Sequence, residues 1–258
     1  MGTHLVAAFE AVASATLVRV DLVNDDILTL VAADRFTVPA EYRAIKWCAA
    51  LGGTLNRAEI VAPSLEVKRA SADIIPLARG ADAFTLVGPS ICKLPRELVL
   101  DAGENAEFQM QNDAAGADNV YGLLSLSKPG DLPPAPAGDI ISVYGANAVA
   151  LTANIWNTRT MTLEKELPSG RYALVGFQAF SATGIGCRAL IPGQSYRPGV
   201  PMRVGATLAA AKVYSPETNP DPLYLMGEFS NTEFPQFQFL ASAADAACYV
   251  IAQVIKTA

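Results

Sequence analysis

The residues able to carry chemistry are few and widely spaced. The chain has one histidine, His4, and four cysteines, Cys48, Cys92, Cys187 and Cys248. A hydrolytic triad needs a histidine held between a nucleophile and an acid, and a single histidine at the chain's start is badly placed for that. The same scarcity rules out a two-histidine metal site in each of two barrels. No two cysteines have the spacing of metal ligands, and each lies in or beside an apolar run, so they read as buried reduced thiols. The acidic groups Asp21, Asp25, Asp26 and Asp101, Glu104 lack the alternation of a calcium loop and read as solvated turn faces. Carboxylates from distant strands remain the one route to hydrolysis left open. Gly184-Ile185-Gly186-Cys187-Arg188-Ala189 matches a dinucleotide fingerprint, but a helix must begin there, and Pro192 follows too soon. The expectation is no catalytic, cofactor-binding or metal-binding residue, and no enzyme.

Aromatic side chains form the other candidate class. Trp47, Phe177, Phe180 and Tyr224 fall where strand cores are expected, and a sugar-binding platform is the competing reading. Phe229 to Phe239 holds more aromatic surface than one strand can bury, which marks it as the favoured contact with another subunit.

These residues must be positioned by short extended elements. Apolar runs arrive at short intervals with Pro, Gly, Asn and Asp between them, and eight fit in each half of the chain. Leu17–Val23 and Ile27–Val31 read as a hairpin around Asn24-Asp25-Asp26, and Tyr42–Ala50 and Arg57–Val61 flank a Gly-Gly turn. Ala83–Val87, Val149–Trp156 and Ala209–Tyr214 read as further strands, with Val204–Ala211 open to either strand or helix. Leu5, Phe9 and Val12 have the spacing of a short amphipathic N-terminal helix, on the domain's own core or on a lipid surface. Glu10 and the missing basic region argue against a signal peptide, although Ala13-Ser14-Ala15 resembles a cleavage site.

The two halves echo one another. Phe108-Gln109 and Phe237-Gln238 lie 129 positions apart, Tyr121 and Tyr249 128 apart, Lys128 and Lys256 128 apart, and Pro39 and Pro168 129 apart. Arg57 and Arg188 come close to the same offset. Between the halves, Lys128 to Gly138 carries four prolines and two glycines and reads as a stiff exposed spacer. The expected organisation is a first domain over 1–128, a linker over 129–138 and a second domain over 139–258. The expected fold is all-β, two tandem jelly-roll β-sandwich domains.

Composition bears on partners. Charged residues are 17% of the 258, below the roughly 25% of ordinary soluble domains, and mean hydropathy is +0.27. No run of about 20 apolar residues is present to span a bilayer as a helix, so the low charge points to surface covered by other chains. The net charge of −6 and scattered Lys and Arg argue against direct nucleic-acid binding.

Two jelly-roll-sized halves joined by a Pro-rich spacer, with Tyr121/Tyr249, Pro39/Pro168 and Arg57/Arg188 as landmarks, resemble the double jelly-roll major capsid proteins of icosahedral viruses. The resemblance implies a structural virion protein that self-assembles as a homotrimer, a pseudo-hexameric capsomer. It also implies other virion proteins as partners, N-terminal segments touching an internal membrane, and a location in the virion after synthesis in the host cytoplasm. The alternative is a carbohydrate- or ligand-binding β-sandwich.

Overall fold

The computed structural model describes residues 2–12, 16–68, 77–79, 92–112, 118–130, 132–204 and 223–258. Ala13–Ala15, Ala83–Val87 and Ala209–Tyr214, together with most of Val204–Ala211, lie outside the described residues. The chain forms two compact units, one of Leu5–Gly130 and one of Asp131–Ala258 joined by Met1–His4. Both are built almost wholly of strands, and no described helix is long and apolar enough to cross a membrane.

In the unit Leu5–Gly130 the elements are β1 (Thr3–Val12), β2 (Val18–Val20), β3 (Leu30–Ala32), β4 (Arg35–Thr37), β5 (Ala44–Gly52), β6 (Leu55–Val61), α1 (Pro63–Lys68), β7 (Leu77–Arg79), β8 (Cys92–Val99), β9 (Asn105–Asn112) and β10 (Asp118–Ser127). One sheet runs β1-β10-β5, with β8 and β7 on β5, and the other has β9 between β6 and the β2/β4 side. In the unit Asp131–Ala258 they are β11 (Ile140–Asn147), β12 (Asn157–Arg159), β13 (Thr162–Leu163), β14 (Arg171–Ser181), β15 (Gly184–Leu190), β16 (Gly199–Pro201), β17 (Arg203–Val204), β18 (Gly227–Ser230), β19 (Gln236–Ala241) and β20 (Cys248–Lys256). Its sheets run β11-β20-β14-β18 and β12-β19-β15-β16. Setting aside the short β13 and β17, these are the first, eighth, third and sixth strands facing the second, seventh, fourth and fifth, which is the jelly-roll order. The core of this unit lies between the sheets, with Phe177, Phe237 and Phe239 fully buried among Leu174, Cys187, Val250 and Val254.

The two units share their irregularities as well as their strand order. On β5, Ile45 pairs with Leu126 and Trp47 with Ser125, leaving Lys46 as a bulge. On β14, Leu174 pairs with Val254 and Gly176 with Gln253, leaving Val175. Lys46 and Val175 stand 129 positions apart. Asn56 on β6 and Ile185 on β15 are skipped in the same way, again 129 apart. β7 joins β5 in parallel and β17 joins β14 in parallel. A bulge re-aims every side chain beyond it, so two bulges at one offset are a stronger mark of duplication than matched residue types. Register also corrects one echo, since Arg188 pairs with Gln238 as Glu59 pairs with Gln109. The structural counterpart of Arg188 is therefore Glu59, not Arg57.

Three local expectations are overturned. Thr3–Val12 is a strand, not an amphipathic helix. Leu5 to Ala8 are all buried, and an apolar run covered on both faces suits a doubly buried strand as well as a helix. The hairpin at Asn24–Asp26 does not form, because β2 pairs with β9 and β3 with β4. Val149–Trp156 is a loop, fastened by the bridge of Leu151 to Asp245 and by the Asn154 N–H donated to the Ala241 carbonyl at 2.8 Å. The Pro-rich stretch is held to the unit that follows it. Leu225 donates its N–H to the Pro133 carbonyl at 2.9 Å, and Ala135 packs with Leu223 and Leu225 on Ala173, Val175 and Ile255.

Candidate functional site

The groups able to do chemistry are taken up by the fold. His4 is fully buried in β1 rather than placed on a loose start. Its Nδ1 accepts the Arg197 N–H at 3.2 Å, and its ring stands edge-on to Tyr196. Cys48, Cys187 and Cys248 are buried and form no disulfide. Burial pushes the Cys187 thiol well up, helped by Cys248, and pushes Cys248 up to about 12. Such thiols are poor nucleophiles at neutral pH. The Gly184–Ala189 motif lies in β15, where no helix N-terminus exists to receive a phosphate. Asp25 Oδ1 accepts the N–H groups of Ile27 and Leu28. Glu104 accepts those of Ser64 and Asp101 at 2.8 Å. These carboxylates thus fasten turns. Among the described residues no group of three or more His, Cys, Asp or Glu side chains could hold a metal ion.

The aromatic segment Phe229–Phe239 is internal packing, which corrects its reading as a subunit contact. Phe229 stacks on Tyr172 at 5.9 Å and meets Phe234 edge-on at 5.4 Å, while Phe237 packs edge-on against Phe177 at 5.2 Å. Phe229, Phe237 and Phe239 are almost wholly buried. The segment is richer than one strand needs because it spans the end of β18 and most of β19, in different sheets, and packs on Tyr172 and Phe177 of β14.

On the outer side of β15 the Arg188 guanidinium lies over the Trp156 ring at 4.2 Å. Its Nε donates to Gln238 Oε1 at 2.7 Å, and Arg197 Nη1 donates to the same oxygen at 2.8 Å. A planar cation against an indole, with its N–H groups met, is a stable way to bury charge.

What stays open is the edge of β11. β20 pairs with its full length, from Ile140 opposite Ile255 to Asn147 opposite Cys248. On its other edge β13 reaches only Gly145 and Ala146, and Glu164 donates its N–H to the Tyr144 carbonyl. No described strand pairs with that edge from Ile140 to Val143. A groove of about 320 Å³ runs beside it, walled by Ile141, Val143, Leu167 and Pro168 and rimmed by Glu164, Lys165 and Glu166. Tyr144 stacks on Tyr249 at 6.2 Å, and burial, then Tyr249 and Glu164, push its phenol up. Ile140 is 50% and Ile141 37% exposed, and Val149 and Ile155 in the following loop are also exposed. An unpaired strand edge flanked by exposed isoleucines is a template for another chain. Sequence reasoning passed over these residues. The available signal was the adjacent pair Ile140-Ile141, since neighbours on a strand face opposite ways and one of them must leave the core.

No family model and no curated protein matches this sequence. Among solved structures the chain is similar to the major capsid protein P2 from bacteriophage PM2, at 9% identity over 98% of this chain and 97% of that one, with a TM-score of 0.25. It is also similar to a chain of an archaeal virus described by its triple jelly-roll fold and turret assembly, at 10% identity over 99% and 80%, with a TM-score of 0.24. Scores this low carry no argument, so the fold assignment rests on strand order and register.

Proposed function

We propose that this chain is a structural virion protein, a capsid subunit that assembles with copies of itself into the shell of an icosahedral virus or phage. The observation that carries the proposal is the open, apolar edge of β11 on a chain with few charges, built as two copies of one jelly roll. A shell subunit covers several faces with its neighbours, and large permanent interfaces have the composition of a core cut in two. The boundaries proposed for the duplicated domains are 1–128 and 139–258, with 129–138 between them. The proposed assembly unit is a homotrimer presenting six similar barrels, joined in the virion by other proteins and made in the host cytoplasm, where buried thiols stay reduced. No lipid contact through an N-terminal helix is proposed, because that segment is a buried strand. The carbohydrate-binding alternative loses its motive, since the aromatic surplus on which it stood lies in the core.

Light scattering on the eluting protein, followed by electron microscopy, tests the proposal. Discrete oligomers and shell-like or hexagonal particles are expected. A monodisperse single chain at micromolar concentration, unchanged by concentration or salt, would contradict it.

A further inference from the structure

The duplication allows the open edge to be compared with its counterpart. In the first jelly roll, Val23 donates its N–H to the Ala7 carbonyl at 2.9 Å; in the second, Glu164 donates to the Tyr144 carbonyl at 3.0 Å. In both, the flanking segment runs antiparallel, with Ala8 opposite Leu22 and Gly145 opposite Leu163. Matching the two bonds equates Ala7 with Tyr144, and therefore Thr3 with Ile140 and His4 with Ile141. The facing of the side chains agrees. Phe9 stacks on Tyr121 and Tyr144 stacks on Tyr249, and those two tyrosines occupy the same place in their rolls.

Equivalent residues have opposite fates. Thr3 and His4 are 1% and 0% exposed, against 50% and 37% for Ile140 and Ile141. Met1–His4 belong to the unit Asp131–Ala258 although β1 continues into the other. There Thr3 Oγ1 shares a hydrogen bond of 2.8 Å with the Tyr224 hydroxyl, and His4 accepts from Arg197. The opening of the first roll's first strand is thus received by a jelly roll other than its own. The opening of the second roll's first strand is received by nothing among the described residues of this chain.

We infer that Ile140–Ser142 is a docking strand for a second copy of this chain, received by that copy's first jelly roll as Met1–His4 are received by the unit Asp131–Ala258. This deepens the shell reading and rests on it. The arrangement uses one kind of contact twice, once within a chain and once between chains, and a head-to-tail contact of this kind closes into a ring when its rotation allows. The receiving surface must offer backbone groups to the free edge and apolar cover to the two isoleucines.

Two experiments test the inference. In the first, Ile140→Asp with Ile141→Asp is compared with wild type by sedimentation and thermal melting. Both side chains are exposed in the single chain, so melting of the isolated chain should hardly change, while self-association should weaken roughly a hundredfold or more. Wild-type oligomers with an equally oligomeric variant overturn the inference and leave the shell reading standing. A monomeric wild type removes both. The second experiment stays decisive if the variant folds poorly. A photo-crosslinking residue at position 141 of the otherwise unaltered chain is irradiated in a mixture of isotopically heavy and light protein. Heavy-to-light crosslinks to residues 5–130 support the inference, and crosslinks confined to residues 131–258, or to the same copy, overturn it.

Discussion

Arg188 sits on the outer side of its strand and is nevertheless only 1% exposed, covered by Trp156 and tied to Gln238. Arg188→Ala removes the stacked cation and leaves a void beside the indole, so it should cost about 2–4 kcal/mol of stability. Arg188→Lys should fall between, because an ammonium lacks the plane that stacks. Chemical denaturation checks both, and an Ala variant as stable as wild type would mean the contact is incidental. Cys248 makes a pH prediction. Its thiol is pushed from 9 up to about 12, first by burial. Between those values the folded state holds a proton that the unfolded state has lost, so the contribution is intact below pH 9 and disappears as pH rises to 12. Melting temperature should fall more steeply over pH 9–11 in wild type than in Cys248→Ala, while a thiol reagent at pH 7.5 should leave Cys187 and Cys248 untouched until the chain unfolds.

At the scale of elements, the bulges at Lys46 and Val175 decide which side chains meet the core. On β14 the core-facing residues are Tyr172 and Leu174 before the bulge and Phe177 and Ala179 after it, a change of parity that only an extra residue allows. Deleting Val175 should turn Tyr172 and Leu174 outward and abolish cooperative unfolding, seen as loss of the near-ultraviolet signal. A deletion variant with wild-type melting would refute the register. Close sheet contact makes a second prediction. A Cβ at Gly122 would stand 2.6 Å from Phe108 Cδ1, and Phe108 is fully buried, so Gly122→Ala should cost about 1–3 kcal/mol. Much of this layer was legible in the chain. Phe108/Phe237 and Tyr121/Tyr249 pointed to the repeat because they lie in the middle strands, where offsets are kept. Arg57/Arg188 misled because a residue type matched while the register did not. The N-terminal strand was not legible, since an apolar run fits either period; on β11 the pair Ile140-Ile141 signalled exposed apolar surface, but not the open edge, which depends on which neighbours a strand lacks. The aromatic segment misled for a related reason, its cover coming from strands distant in sequence.

For the whole molecule, the account is that one jelly roll was duplicated and the product is used to build an assembly. The low share of charge, 17%, is what the proposed assembly would call for, since faces covered by neighbours need few charges. Ile140, Ile141, Val149 and Ile155 are exposed in the single chain, so an association that covers them should be salt-tolerant, apolar burial and not ion pairing being its main term. The most direct measurement is the mass of the purified chain in solution by light scattering over a range of concentrations. The account predicts a discrete multiple of 27.1 kDa, three chains in the proposed capsomer, that persists on dilution to the micromolar range. A mass of one chain throughout that range would contradict it.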